Sequence, residues 1–149
     1  MKILTLHVVD PAWKTVAAFA ENCPWRAGSY LAELMRANRF APWERVFAAF
    51  TDERPVGFCT LTAKDEMPDS CEFTPFIGFV YVDEAYLGRR ISAQMIAAAS
   101  EYAKSRGFSA VYLTSEEQGL YEKYGFVKQG TVETIRHELT QLFRKPLKI

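Results

Sequence analysis

The stretch 76–130 constrains this chain more than any other. Residues 77–82, IGFVYV, are an unbroken apolar run of strand length, and DEAYLGRRIS follows at 83–92. Ile91, Met95, Ala98 and Tyr102 then recur at spacings of four, three and four, which predicts a helix with this face turned to a sheet. A second strand pattern covers 108–114, and GLYEKYGF closes the block at 119–126. Strand, glycine turn, helix, strand is a βαβ unit whose helix begins just after Gly88. The first amides of such a helix have no intrahelical acceptor, and the helix dipole favours anions there. The turn thus has the form of a phosphate seat at the end of a buried strand. With a single glycine in it, it is not a GxGxxG dinucleotide site.

Bulk properties narrow the rest. A length of 149 residues predicts one domain spanning 1–149, large enough for a real core. Lys plus Arg and Asp plus Glu number 18 each, so no net field draws nucleic acid or an anionic membrane, and neither is an expected partner. Cys23, Cys59 and Cys71 have no CxxC spacing, which argues for free thiols in a reducing compartment. No run of 18 apolar residues occurs, and the N-terminus reads as a strand and not a signal peptide. A cytoplasmic protein is the expectation.

Along the chain, KILTLHVV (2–9) predicts the first strand, and Asp10-Pro11 a helix start with cap and first-turn proline. That helix runs through Val16, Ala17, Phe19 and Ala20 towards Cys23, where Pro24 interrupts it. A second helix over 27–38 would bury Tyr30, Leu31, Leu34 and Met35. Residues 44–63 read as a hairpin about Asp52-Glu53-Arg54-Pro55, and 64–70 as a polar loop. After Gly125-Phe126 a strand should run to about Gly130, and a last strand should cover 139–143. Residues 133–139 fit helix or strand equally. The order is β-αα-ββ-β-α-β-α-β-β, an α/β arrangement with helices on both faces of one mixed sheet.

VDEAYLGRRIS (82–92), joined downstream by GLYEKYGF, resembles the GNAT superfamily of acyl-coenzyme A dependent N-acetyltransferases. The family signature is an R/Q-x-x-G-x-G/A turn after a strand, followed by Tyr-x-x-x-Gly-Phe, here Tyr121 to Phe126. The likeness is strong over 77–130, and the order of elements extends it to the whole chain. Three positions depart from the signature: Leu87 replaces Arg or Gln, Arg90 replaces Gly, and Ser92 replaces Gly or Ala. The resemblance implies a GNAT-like α+β fold with a mainly antiparallel sheet of six to seven strands and about four helices. It also implies acetyl transfer from acetyl-CoA to a primary amine by direct attack in a ternary complex. The acceptor would be a small molecule or a peptide amine, and the family admits homodimers. The alternative is a non-catalytic domain that binds and senses acyl-CoA.

Cofactor contacts follow from the same likeness. The backbone of Val80, Tyr81 and Val82 would pair with the pantetheine amides, and the turn Leu87, Gly88, Arg89, Arg90, Ile91 and Ser92 would hold the pyrophosphate. Gly88 permits close backbone approach, and Arg89 and Arg90 would add charge-assisted contacts. Two cations at a helix start oppose its dipole unless an anion sits there, which favours the phosphate reading. Tyr121 matches the family's general acid near the thioester sulfur. A phenol near pKa ~10 is a weaker acid than a thiol near ~8.5, so a hydrogen bond that strengthens as charge develops is the sounder role. An alkylammonium near pKa ~10.4 must lose a proton before attack, and among Asp65, Glu66, Asp69 and Glu72 the nearest to the strand, Glu72, is the expected base. His7 and His137 lie in no triad-like motif, and no metal is expected. The acceptor pocket would draw on Trp25, Tyr30, Leu34 and Phe73, while Trp13 and Trp43 read as packing.

Overall fold

The computed structural model describes residues 1–148. The chain runs β1 (Lys2–Leu6), α1 (Ala12–Asn22), α2 (Arg26–Arg36), β2 (Arg45–Thr51), β3 (Arg54–Thr62), β4 (Phe76–Val82), α3 (Ile91–Ser105), β5 (Ala110–Ser115), β6 (Val127–Glu133) and β7 (Leu139–Pro146). The seven strands form a single sheet in the order β1-β2-β3-β4-β5-β7-β6. Every neighbouring pair is antiparallel except β4 and β5, which α3 joins in parallel.

Helices cover both faces, which explains why β2 reads RVFAAFT and not as an alternating strand. Phe47, Cys59, Leu61 and Ile77 pack under α3 through Met95, Ile96 and Ala99. On the other face Val46, Ala48 and Phe58 pack against Val16, Ala20, Leu31 and Met35 of α1 and α2. The α3 face facing the sheet is Ile91, Met95, Ile96, Ala99 and Ala103, so the predicted stripe is rotated: Ala98 and Tyr102 lie at its margin, partly buried. Tyr102 is held there by its hydroxyl, which donates to the Trp43 carbonyl at 2.6 Å.

Several expected boundaries move for local reasons. β1 ends at Leu6, because Asp10 Oδ2 accepts from the His7 amide at 2.7 Å and closes a turn before α1. Asp10 therefore does not cap the helix with its side chain. The second helix begins one residue early, at Arg26, and stops at Arg36, ahead of Asn38, whose φ is +50°. The β2–β3 connection is tighter than the four residues expected: Asp52 and Glu53 both take positive φ, 51° and 64°, as a two-residue hairpin turn requires. Residues 133–139 resolve into the end of β6 and a turn in which Thr134 N donates to Glu138 O at 2.9 Å. The fourth helix is absent among the described residues; a single 3-10 turn, Tyr121–Tyr124, stands in its place, ended by Gly125 at φ +94°.

Candidate active site

β4 and β5 touch at one register position, Phe76 with Tyr112, supported by Tyr112 N donating to Pro75 O at 3.0 Å. Beyond it they part. On its far edge β4 stays paired to β3 through Tyr81–Phe58 and Val82–Gly57, and β5 stays paired to β7 from Ala110 to Ser115. The backbone edges of β4 and β5 that face each other therefore bound an opening in the sheet. A cleft of about 1400 Å³ passes through it, lined on one bank by Ile77 to Val82 and on the other by Leu113, Thr114, Ser115 and Tyr121.

A bulge re-aims β4 at this opening. Phe58 pairs with Tyr81 but Thr60 pairs with Gly78, so β4 carries one residue more than β3 between these points. Phe79 absorbs the misfit with φ +51°, an unusual conformation for a bulky side chain. As a result Phe79 and Tyr81 join the α1–α2 face, while Val80 and Val82 join the α3 face.

At the mouth of the cleft the turn carries Gly88 as expected, but the helix begins at Ile91 and not directly after Gly88. Asp83 Oδ1 accepts from Ala85 N at 3.0 Å, capping the 3-10 turn Glu84–Tyr86. Gly88 follows at φ +82°, with open space where a side chain would stand. Arg90 is at φ +58°, the left-handed region, at the position where the GNAT signature has glycine. The first helical bond of α3 is Gln94 N to Arg90 O at 3.1 Å, and no side chain caps the helix. Among the described residues, the amides at its start have no acceptor, which fits a phosphate group. Arg89 lies over the Tyr86 ring at 5.0 Å, and both Arg89 and Arg90 are exposed. Leu87 is exposed and lines the cleft. Ile91 is buried in the core, so only its backbone faces the turn. Ser92 Oγ is 2.9 Å from the Tyr124 hydroxyl, so its hydroxyl braces the turn against the segment that carries Tyr121.

Tyr121 is buried, with its ring edge-on to Phe126 at 6.1 Å and 6.0 Å from Phe143. Burial pushes its hydroxyl up to about 12, with Glu117, Tyr124 and Cys59 adding to the shift and a hydrogen bond with Ser115 opposing it. At neutral pH it is therefore protonated and able to donate.

The expected base is not in the cleft. Glu72 is exposed in the loop before β4 and does not line the opening; Phe73 is likewise outside it, 4.9 Å from Tyr112. Trp25, Tyr30 and Leu34 do line it, and so does Asp65. Asp65 sits in a loop turned by its own φ of +52°, with its amide donating to Thr62 Oγ1 at 3.2 Å. Its carboxyl lies directly over Gly78, and burial pushes it up to about 7, aided by the charge of Glu66. The neighbouring Lys64 is not its partner: Lys64 Nζ donates to the carbonyls of Cys71 and Phe73. A second cleft carboxylate, Glu44, is engaged on both oxygens, by Ala41 N at 2.6 Å and Ala63 N at 2.7 Å. The signal for Asp65 in the sequence was Gly78, an isolated glycine inside an apolar strand, which marks a bulge or a close approach.

Comparison with known proteins agrees with this geometry. The sequence matches the Acetyltransferase (GNAT) family over residues 12–126. A search of curated proteins gives no match. Among solved structures, aminoglycoside 6'-acetyltransferase type Ii superposes with a TM-score of 0.76 at 18% identity, covering 100% of this chain and 99% of that one. An aminoglycoside 6'-N-acetyltransferase complexed with coenzyme A gives 0.72 at 14% identity, covering 100% and 98%. A GNAT family N-acetyltransferase from Escherichia coli in complex with CoA gives 0.71 at 15%, covering 99% and 81%. At these identities the likeness is one of fold. With the family match spanning most of its length and the splayed strands, uncapped helix start and buried tyrosine in place, the chain belongs to the GNAT family of acetyltransferases.

Proposed function

We propose that the protein moves an acetyl group from acetyl-CoA to the primary amine of a small molecule by direct attack, with the two substrates meeting in the gap between β4 and β5. The observation that carries this reading is the parting of those strands after Phe76, with Tyr121 on one side of the opening and Asp65 on the other. The amides at the start of α3, with Gly88, Arg89 and Arg90, hold the pyrophosphate. The free edge of Val80 to Val82 receives the pantetheine amides as an added strand would.

Asp65 accepts the proton that the acceptor ammonium must lose. A carboxyl near 7 is half ionised at neutral pH and is a far better base than an exposed carboxylate near ~4. The amine nitrogen then bonds to the acetyl carbon and the carbon–sulfur bond breaks. The hydroxyl of Tyr121, a residue that lines the cleft, donates a hydrogen bond to the sulfur as negative charge develops there. The attacking nitrogen sheds its second proton as the amide forms, and that proton goes to the departing thiolate, so the products are the N-acetyl amine and the coenzyme A thiol. Calorimetry with coenzyme A, followed by thiol release from acetyl-CoA across a panel of primary amines, tests the reading. Amine-dependent release supports it; tight binding with no release from any amine points to the sensing domain instead.

A further inference from the structure

The α1–α2 side of the cleft carries two features that the transfer chemistry leaves unused. The first is an aromatic wall. Trp25 stacks on Tyr81 with ring centroids 5.9 Å apart and planes within 6°, and Tyr30 lies 6.0 Å from Phe79. All four line the cleft, yet Trp25 remains 37% and Tyr30 46% exposed. Large aromatic rings left open inside a concave site are a recognition surface for apolar or aromatic groups.

The second is an unsatisfied hydroxyl. Thr60 is fully buried, lines the same cleft, and its Oγ1 is the buried side-chain polar atom without a hydrogen-bond partner among the described residues. Such a group is costly to leave unpaired unless a ligand or water completes it. Its place is informative. Thr60 pairs directly with Gly78, so its side chain shares a sheet face with the position over Gly78 that the Asp65 carboxyl fills. Two residues back along β3, on that same face, Phe58 pairs with Tyr81 and stacks with Trp25. A polar seat of one carboxyl and one hydroxyl therefore stands about 7 Å along the strands from an aromatic wall.

We infer that the acceptor is an arylalkylamine: a primary amine seated between Asp65 and Thr60, joined by a two- or three-carbon arm to an aromatic ring that lies against Trp25 and Tyr30. The inference rests on the proposed acetyl transfer and adds the class of amine to it. A polyamine or a polyhydroxylated aminosugar, which the further cleft carboxylates Glu33, Glu66, Glu84 and Glu117 could meet, would still leave the aromatic wall wet.

The test is steady-state thiol release from acetyl-CoA with 2-phenylethylamine, n-butylamine, spermidine, kanamycin and phenylalanine, beside calorimetry with coenzyme A. The kcat/KM for 2-phenylethylamine should exceed that for n-butylamine by about tenfold or more. Trp25→Ala should remove that preference and leave coenzyme A affinity within about twofold. Thr60→Val, which removes an unpaired buried hydroxyl, should keep or raise the melting temperature while lowering kcat/KM for 2-phenylethylamine about tenfold. A phenylalanine rate above that of 2-phenylethylamine supports the aryl arm with an amino acid as its source. Equal rates with the two simple amines, faster turnover of spermidine or kanamycin, or coenzyme A binding without release from 2-phenylethylamine overturns the inference and leaves the cofactor reading standing. Failure to bind coenzyme A overturns the underlying reading itself.

Discussion

The carboxyl of Asp65 fills the space over Gly78 that any side chain there would need. A Cβ at Gly78 would overlap Oδ1 and lie 2.5 Å from Cγ and 2.8 Å from Oδ2. Gly78 is not in the left-handed region, so its glycine is there for space and not for backbone freedom. Gly78→Ala should displace the carboxyl and lower kcat by about tenfold or more, at a stability cost of about 1–3 kcal/mol from overpacking. Coenzyme A affinity should hold within about twofold. Turnover and calorimetry on the same preparation check this, and an unchanged kcat would remove Asp65 from the chemistry.

Asp65 also sets a pH signature. Its carboxyl lies at about 7 in the fold against an ordinary 3.8, so the native state keeps a proton that the unfolded chain has lost. Stability is therefore highest below about 4 as far as this group is concerned, and falls as pH rises towards 7. The full shift corresponds to at most ~4 kcal/mol. Between pH 5 and 8 the melting temperature of Asp65→Asn should fall less than that of the parent. Turnover runs in the opposite sense: kcat should rise through about pH 7 as Asp65 ionises, and the Asn variant should lose that limb and about a hundredfold in rate.

Tyr121→Phe should lower kcat by about tenfold to a hundredfold and leave coenzyme A affinity nearly intact, since the hydroxyl acts on charge that develops at sulfur. With its hydroxyl pushed up to about 12, Tyr121 should contribute no alkaline limb below pH 10. Pre-steady-state thiol release separates this loss from any change in product release.

Arg90 holds a left-handed conformation at the start of α3, where glycine pays no steric cost. Arg90→Gly should stabilise the protein by about 1 kcal/mol, a rise of about 2–4 °C in melting temperature. If the side chain also meets phosphate, coenzyme A binding should weaken by about two- to tenfold and become less salt-dependent. A lower melting temperature would show that the Arg90 side chain contributes more than its backbone strain costs.

What the sequence by itself determined was local: the βαβ unit and the glycine turn. Short-range periodicity, Gly88 at the end of an apolar strand and the Tyr121–Phe126 motif are all contained within a few turns of chain. The same range covers the two N-terminal helices and the β2–β3 hairpin, although turn chemistry at Asp10 and at Asp52-Glu53 shifted their ends. What only the tertiary structure decided was which groups from distant segments share the cleft. Glu72 is nearest to β4 in sequence, yet its loop leaves it in solvent. Asp65, seven residues earlier, is folded back over Gly78 by a positive-φ turn. The wall from Trp25 to Tyr81 exists because one extra residue in β4 changes which of its side chains face α1 and α2. A register shift of one residue reverses faces, and nothing in residue identity alone reports it.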